Sequence, residues 1–255
     1  NAFYPGDMAR YWKNLHIDES LVGKKILLNL DGAYMNAEVR VNGLETEHHP
    51  YGYTPWQFDL TPYVTEGDNL IRVDVQSRQP STRWYSGGGI FREVTLLVGG
   101  KAYINPWDLY VTTPEVGGTS RVHVTAGVQS DYSEDVDVKL VYTISEKDGS
   151  AAASGELSGK LAAGVKTVFD QDIIVEKAKL WDVDEPNLYE LSVAVIVNGV
   201  EEDAAKTSFG IRKIEIDAKN GFRLNGKKMK LYGGCCHHDN GAIGARSIRA
   251  AEERK

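Results

Sequence analysis

Cysteine is nearly absent from this 255-residue sequence, which contains only two copies, Cys235 and Cys236. The two are adjacent, and a disulfide between chain neighbours strains the backbone, so both are expected to be free thiols. A scaffold held together by disulfides is therefore excluded.

Positive charge and long apolar runs are also scarce. Acidic residues outnumber Lys and Arg by 36 to 29, which gives a net charge of -7, whereas nucleic acids and anionic membranes call for basic patches. No run of 18 apolar residues occurs, so no transmembrane helix is predicted, and the first residues, NAFYPGDMARYW, do not resemble a signal peptide. The composition favours a neutral or small polar ligand, with no nucleic acid and no membrane as partner.

Helical periodicity is missing from residues 24–100, where apolar and polar residues alternate in short runs. This pattern predicts an antiparallel β-sandwich with turns at Asp31-Gly32 and Asn42-Gly43. The expected core face comprises Ile26, Leu28, Leu30, Val39, Val41, Ile71, Val73 and Val75. The residues expected to face solvent are Arg40, Asn42, Arg72, Asp74 and Gln76.

A second alternating series follows Gly99-Gly100 and indicates about seven strands, the number in an immunoglobulin-like sandwich. Turns are expected at Asp148-Gly149 and Asn198-Gly199. The stretch 151–164, rich in Ala, Ser and Gly, is interpreted as an exposed hairpin tip. The apolar positions that define the series are Val122, Val124, Ala126, Val128, Val136, Val138, Leu140, Tyr142, Ile144, Tyr189, Leu191, Val193, Val195 and Val197.

Residues 222–244, FRLNGKKMKLYGGCCHHDNGAIG, concentrate the residue types that carry chemistry. Asn225-Gly226 predicts a tight hairpin turn, because both residues tolerate positive φ. A second strand, MKLY, is expected to end at Gly233-Gly234. Six residues able to ligate, titrate or hydrogen-bond follow at once, CCHHDN, and barrel enzymes place their chemistry at such strand ends.

The pattern of an Asn-Gly hairpin, a strand ending in Gly-Gly and an HHDNG loop resembles the entry to the catalytic barrel of glycoside hydrolase family 2. Two upstream segments, YGYTPWQFD at residues 51–59 and RWYSGGGIFR at residues 83–92, resemble motifs of that family's first domain. The resemblance implies an all-β fold: a jelly-roll, sugar-binding-like sandwich at 1–100, truncated at its N-terminus, then an immunoglobulin-like sandwich at 101–213. Residues 214–255 would open a (β/α)₈ barrel, which takes about 250 residues in full, so the chain is expected to be a fragment.

The implied mechanism is retaining hydrolysis by two glutamates, and no catalytic residue can be assigned here. The family's acid/base glutamate follows an asparagine, and the sequence contains no Asn-Glu pair. The chain alone is therefore expected to be inactive. The resemblance implies that His237 matches the family's loop histidine and that Asp239 matches a residue that in some members contacts sugar hydroxyls. His238 replaces the commoner glutamate.

Two other interpretations of this loop remain open. The cluster could bond only to its own backbone. It could also bind a metal, but consecutive residues of an extended segment point to opposite sides, whereas zinc sites use separated pairs that converge. No metal and no cofactor is therefore predicted.

Arg83 and Trp84 are candidate sugar contacts, since an indole can stack on a sugar face and a guanidinium can donate to hydroxyls. The structural interpretation is favoured, because three consecutive glycines more often mark tight backbone packing. Trp56, Trp107 and Trp181 are expected in core or interdomain packing.

The predicted function is the non-catalytic N-terminal part of a β-glycosidase, with β-galactosides as the first expectation. The resemblance also implies a bacterial enzyme, periplasmic or cytoplasmic, that could form a homo-oligomer. The competing hypothesis is a free-standing carbohydrate-binding or adhesion module of two sandwiches. A strand, a His-rich loop and a helix after residue 214 favour the enzyme.

Overall fold

A computed structural model describes residues 8–77, 87–237 and 239–255, except for the side chain of Ala242. The chain forms two compact units. One comprises Asn1–Val98 with Gly234–Lys255, and the other comprises Gly99–Gly233. Among the helices in the described ranges, none is long and apolar enough to cross a bilayer.

Up to Gly99, the described residues of the first unit form a β-sandwich of nine strands and two 3₁₀ turns. The sheets have the antiparallel orders β1-β7-β4-β5, β6-β2-β9 and β3-β8. The 3₁₀ turns are Glu19–Leu21 and Thr61–Tyr63. The strands are β1 Met8–Ile17, β2 Lys25–Leu30, β3 Ala33–Tyr34, β4 Ala37–Val41, β5 Leu44–His49, β6 Trp56–Asp59, β7 Gly67–Gln76, β8 Gly89–Ile90 and β9 Val94–Gly99.

All eight residues expected in the core of this sandwich are buried, together with Phe58 and Leu60. One expected solvent-facing residue is buried. Asp74 lies on the outer side of β7, but it is only 7% exposed, because Arg10 and Arg72 fold over its carboxylate. Strand alternation predicts which side a residue faces, and it does not predict what covers that side.

The second unit is a seven-stranded sandwich of two antiparallel sheets, β10-β11-β14 and β13-β12-β15-β16. The number of strands agrees with the sequence-based prediction. Asn198-Gly199 turns between its last two strands with φ of 52° and 78°, which suits a two-residue hairpin loop. The strands are β10 Ala102–Glu115, β11 Thr119–Ser130, β12 Val136–Glu146, β13 Ala151–Leu161, β14 Thr167–Glu176, β15 Tyr189–Val197 and β16 Val200–Phe209.

The core of the second unit runs the full length of the sandwich and contains nearly every apolar position predicted for it. Only Val136 is partly rather than fully buried. The expectation for residues 151–164 was wrong, since Ala151–Leu161 is a full strand paired with β12 along its length. Its small residues still alternate, and Ala153 and Leu157 pack against the core while the side chains between them face outward.

A small antiparallel sheet follows, made of β17 Ile214–Asp217, β18 Gly221–Leu224 and β19 Lys227–Lys228. The predicted Asn225-Gly226 turn is present, with φ of 49° and 80°. The expected strand over residues 229–232 is not formed, and Leu231 and Tyr232 are 71% and 88% exposed. A strand needs neighbours to satisfy its backbone groups. Of residues 229–232, only Met229 is held to β18, by donating its backbone N–H to the Phe222 carbonyl at 3.2 Å.

Candidate functional site

The hairpin that leads to the His-rich loop is fixed by one side chain. The Asn225 amide nitrogen donates to the carbonyl oxygen of Trp181 at 3.0 Å, and its side-chain oxygen accepts from the backbone N–H of Lys213 at 3.0 Å. The Asn225 backbone N–H also donates to the Lys213 carbonyl at 2.8 Å. The turn residue therefore ties the hairpin to Trp181 and Lys213 within the second unit.

The loop itself is held by its own C-terminal helix. A 3₁₀ turn, Gly241–Ile243, and a short helix, α1 Arg249–Arg254, follow the polar residues. The Asn240 amide donates to Glu252 Oε1 at 2.6 Å, and its backbone N–H donates to the carbonyl of Gly244 at 2.8 Å. Lys255 Nζ donates to the backbone carbonyls of His237 and Asp239. The helix thus closes the loop into one local structure.

His237 and Asp239, the two site residues carried over from the family, both lie on this loop. The His237 side chain is exposed and Asp239 is half-buried. Within the described ranges, no hydrogen bond or ion pair to the Asp239 carboxylate is found, whereas backbone groups of the loop are satisfied by Lys255. A half-buried carboxylate whose oxygens are not used by the described residues can accept hydrogen bonds from a ligand. His238 lies outside the described residues.

The chain after the loop packs on the first sandwich. The Ser247 backbone N–H donates to the carbonyl of Phe91 at 2.8 Å, and Arg246 Nη1 donates to the carbonyl of Ile90 at 3.2 Å. These acceptors belong to the segment predicted from RWYSGGGIFR. The segment that follows the polar loop therefore contacts RWYSGGGIFR within one unit. No local signal in the sequence marks Arg246 or Ser247 for this role.

The glycines of RWYSGGGIFR are required by close packing, as their structural interpretation predicts. A Cβ on Gly87 would lie 2.7 Å from the Ala245 Cβ, and one on Gly88 would lie 2.4 Å from the Ser77 Cβ. Gly89 has a φ of 105° and its Cβ would meet the Tyr11 hydroxyl at 2.5 Å. Arg83 and Trp84, the two candidate sugar contacts of this motif, lie outside the described residues.

The YGYTPWQFD motif forms an aromatic cluster next to the same segment. Tyr53 packs against Tyr34 and Phe91 with ring centroids 5.2 and 5.5 Å apart. Arg92 lies 5.0 Å from the Phe91 ring centre and donates to the Tyr53 carbonyl at 3.2 Å. The sequence indicates the motif but not this role of Arg92, which joins the two motifs by donating to the backbone carbonyl of Tyr53.

The motif's last residue, Asp59, also has a structural role. Lys25 Nζ lies 2.7 Å from its carboxylate, and the backbone N–H of Thr61 donates to it at 2.9 Å. Burial alone would raise the pKa of Asp59, but Lys25 and Thr61 outweigh burial, so its pKa is lowered. Asp59 is thus held as a carboxylate that fixes the turn after β6.

The thiols and metal-type residues do not form a cluster in the described part of the chain. Cys235 and Cys236 are both free and exposed. No group of three His, Cys, Asp or Glu side chains there is arranged to hold a metal ion.

The tryptophans differ in environment: Trp56 is buried against the His49 ring, Trp181 stacks under Arg212 at 4.7 Å, and Trp107 is 52% exposed rather than in a core.

Both sandwiches match sequence profiles of one family. The profile described as "Glycosyl hydrolases family 2, sugar binding domain" matches residues 5–99, and the profile described as "Glycosyl hydrolases family 2" matches residues 102–212.

Individual relatives share both domains. β-Galactosidase BoGH2A of Bacteroides ovatus is 38% identical over 255 residues, which is 98% of this chain and 30% of that protein. A putative β-glucuronidase of Formosa agariphila is 29% identical over 249 residues, 95% of this chain and 23% of that protein. The chain therefore spans less than a third of the length of these relatives.

Solved structures agree with this assignment. A family 2 glycosyl hydrolase from Bacteroides cellulosilyticus matches with a TM-score of 0.95 and 38% identity, covering 99% of this chain and 35% of that chain. A β-glucuronidase from Bacteroides uniformis matches with a TM-score of 0.87 and 27% identity, covering 99% of this chain and 32% of that chain. The predicted fold, a sugar-binding-like sandwich followed by an immunoglobulin-like one, is thereby confirmed.

Proposed function

The chain belongs to the glycosyl hydrolases of family 2, and we propose that it forms the non-catalytic N-terminal part of an enzyme that hydrolyses terminal β-galactosides. Hydrolysis proceeds with retention, by two glutamates supplied by the rest of the enzyme. The observation that carries the proposal is that two profiles of this one family match the two sandwiches in order. The galactoside preference is supported by the 38% identity to a β-galactosidase.

The same proposal divides the chain into a sugar-binding-like domain at 1–100, an immunoglobulin-like domain at 101–213 and the start of a barrel at 214–255. The profile boundaries at 99 and 102 and the end of the second match at 212 support the first two limits. The hairpin β17 to β19 and the polar loop would then enter the barrel. The structural grouping of residues 234–255 with the first sandwich is compatible with a segment that leaves the second domain.

His237 and Asp239 are proposed to form one wall of the sugar site. The support comes from the half-buried Asp239 carboxylate and from the helix that holds the loop backbone through Lys255. A carboxylate accepts from sugar hydroxyls, and an imidazole can donate or accept according to its tautomer. His238, Arg83 and Trp84 are included as further candidate contacts on the basis of their motifs alone.

The test compares residues 1–255 with the polypeptide encoded by the whole reading frame, using p-nitrophenyl β-galactoside and β-glucuronide. We expect the whole polypeptide to hydrolyse the galactoside faster and residues 1–255 to hydrolyse neither. Turnover by residues 1–255 alone would overturn the non-catalytic assignment. A faster glucuronide reaction would overturn the galactoside assignment and leave the family unchanged.

The loop assignment has its own test in the whole polypeptide. His237→Ala and Asp239→Ala should each lower kcat/KM by about tenfold or more. Each variant removes a hydrogen bond to a sugar hydroxyl and leaves that hydroxyl desolvated without a partner. The matched controls, His48→Ala and Asp68→Asn, change exposed residues of the first sandwich and should leave kcat/KM unchanged. Equal rates for the loop variants and the controls would remove His237 and Asp239 from the site.

A further inference from the structure

The second unit begins with a glycine-rich stretch, residues 99–104, which we call the entry segment. Gly99 ends β9, Gly100 and Lys101 follow it, and β10 begins at Ala102. Glycine leaves the backbone more conformational freedom than any other residue, so this sequence by itself favours a flexible joint. The hydrogen bonds of the entry segment indicate the opposite.

Two consecutive acidic residues of β16, Glu202 and Asp203, bind the entry segment. The backbone N–H of Lys101 donates to Glu202 Oε2 at 2.6 Å, and the backbone N–H of Ile104 donates to Asp203 Oδ2 at 2.8 Å. The Gly100 N–H donates to the backbone carbonyl of Glu202 at 2.7 Å. The two side-chain contacts join positions 101 and 99 residues apart, so no local pattern in the sequence predicts them.

A β-bulge explains how two neighbouring acids reach the same segment. Val195 of β15 lies opposite Asp203, but the next residue of β15 lies opposite Glu201. Glu202 is therefore an extra residue in β16. Successive side chains of a regular strand point to opposite sides, whereas a bulge re-aims one of them. The extra residue thus brings a second carboxylate to the side that faces the entry segment.

The Glu202 side chain is itself held in place. The Tyr132 hydroxyl donates to Glu202 Oε1 at 2.9 Å. Burial and the Glu202 carboxylate raise the pKa of this hydroxyl, which keeps it protonated as a donor. The Lys101 ammonium lies 5.6 Å from the Tyr132 ring centre, and the Asp131 N–H donates to the Lys101 carbonyl at 2.8 Å. Because both Glu202 oxygens accept from the protein, the acidic pair is not arranged as a cation site.

Asp203 binds the entry segment without a gain in stability from its charge. Burial raises the pKa of its carboxyl, although the backbone N–H groups of Ile104 and Ala204 act in the opposite direction. A group with a raised folded-state pKa stabilises the fold at low pH, and this contribution is lost as the pH rises through that pKa. At neutral pH the contribution is absent, so the hydrogen bond to Ile104 serves to fix geometry.

We propose that Glu202 and Asp203 form a clamp that holds the entry segment in one conformation, so that its glycines do not act as a flexible joint. The clamp lies within the second unit and does not depend on the proposed glycosidase activity. Gly100 leaves room for it. A Cβ at this position would lie 2.7 Å from the Glu202 Cδ and would collide with the carboxylate. Because the tip of a glutamate side chain is flexible, Gly100→Ala should push the carboxylate aside without removing it.

The test measures how fast trypsin cuts after Lys101 in native residues 1–255, with the cleavage site identified by mass spectrometry. Proteolysis of a folded chain follows the population of its locally opened state. Glu202→Ala should raise the rate about tenfold, since hydrogen bonds that oppose opening are lost. Gly100→Ala should raise it to a similar extent. The matched control, Glu201→Ala, changes an exposed acid on the same strand and should be cut at the parent's rate.

Hydrogen exchange tests the second carboxylate. Asp203→Ala should speed exchange of the Ile104 amide by about tenfold, because the amide loses its acceptor. Asp203→Asn keeps an acceptor oxygen and should retain the parent's protection. Amides of the central strand β12 report on the fold of the unit, and their protection should be the same in every variant.

Two outcomes would overturn the proposal. One is a parental rate of cleavage after Lys101 in both Glu202→Ala and Gly100→Ala, since the pairing of β10 with β11 would then hold the segment without the clamp. The other is unchanged protection of Ile104 in Asp203→Ala. If Glu202→Ala also loses protection in β12, Gly100→Ala decides, because it removes no hydrogen-bonding group: faster cleavage with β12 protected supports the clamp, and a parental rate rejects it.

Discussion

The two sandwiches share one construction rule but use their polar residues differently. In the second, the 21 buried residues of the core lie on six of the seven strands and at Ile211, and ion pairs such as Arg121 with Asp172 and Lys139 with Glu156 lie on the surface. In the described part of the first, the core has 14 buried residues, and aromatic, glycine and arginine residues around them form the close contacts of the two motifs. The comparison shows that the second unit is built on the larger core, whereas more of the first unit's packing relies on aromatic, glycine and arginine contacts.

The largest expected effect tests whether each core is independent. Leu191 is completely buried in the second core, and Leu191→Ala should lower the free energy of unfolding of that unit by about 3 kcal/mol, since a cavity replaces packed atoms. Hydrogen exchange should then show lost protection in residues 102–211 and unchanged protection in residues 17–75. The control is Leu188→Ala, at a leucine that is 47% exposed. Equal loss of protection in both units would contradict two independent cores.

The next effect tests the tight packing of the first unit. A Cβ at Gly52 would lie 2.5 Å from the Tyr34 Cα, which is backbone and cannot move aside cheaply. Gly52→Ala should therefore destabilise the first sandwich by about 2 kcal/mol, measured by urea unfolding. Gly118→Ala in the second sandwich has no atom within 4 Å of its Cβ and should cost nothing. If the two variants were equally stable, close packing at the YGY motif would not matter.

Strand alternation was enough to identify the cores of both sandwiches, because the two-residue period of a strand determines which side chains share the buried face. It failed where burial depends on distant residues. Asp74 is covered by Arg10, which is 64 positions away in the sequence. Residues 151–161 were misjudged because Ala, Ser and Gly are depleted in strands, and pairing with β12 overrides that preference.

The candidate site was predictable only in part, and for the same physical reason. The Asn225-Gly226 turn follows from backbone preferences of two neighbouring residues. The contact of Ser247 with Phe91 joins positions 156 residues apart and has no local signal. The strand expected over residues 229–232 was predicted as the partner of residues 222–224 across this turn, but β18 pairs with Lys227–Lys228 instead and bonds only Met229 beyond them.

Asp74 should make the stability of the first sandwich depend on pH. Burial alone would raise the pKa of its carboxyl, but the hydrogen bonds from Arg10 and Arg72 prevail and lower the pKa from 3.8 to about 2. A lowered pKa stabilises the folded state at pH values above 3.8, and this stabilisation is lost as the pH falls through about 2.

Asp74→Asn should accordingly cost the first sandwich about 2 kcal/mol at pH 6, and the difference from the parent should shrink as the pH approaches 2. Urea unfolding at pH 6, 4 and 2.5 measures this. The control is Asp68→Asn, whose carboxylate is 80% exposed beside His16 and which should show little change. A cost independent of pH would mean that Asp74 acts by packing rather than by charge.

The smallest expected effect concerns Tyr142, whose hydroxyl is one of the buried polar atoms of the second unit that make no hydrogen bond in the described part of the chain. Tyr142 is fully buried, and within the described residues its hydroxyl makes no hydrogen bond. Burial, with a smaller contribution from Asp170, raises its pKa from 10.0 to about 12. Tyr142→Phe removes a hydroxyl that is desolvated without compensation, so it should stabilise the second sandwich by about 1 kcal/mol at pH 7.

Urea unfolding of the same variant at alkaline pH supplies the decisive measurement. In the parent, the unfolded tyrosine ionises near pH 10 while the folded one stays protonated until about pH 12, so stability is complete below pH 10 and falls as the pH rises through that window. Tyr142→Phe lacks this loss, and its advantage over the parent in urea unfolding should therefore grow between pH 7 and pH 11. Tyr110→Phe, at a ring that is 66% exposed, is the matched control and should show no such growth. A destabilised Tyr142→Phe would mean that the hydroxyl has a partner in solution, and the second core would then resemble the first in using a buried polar contact.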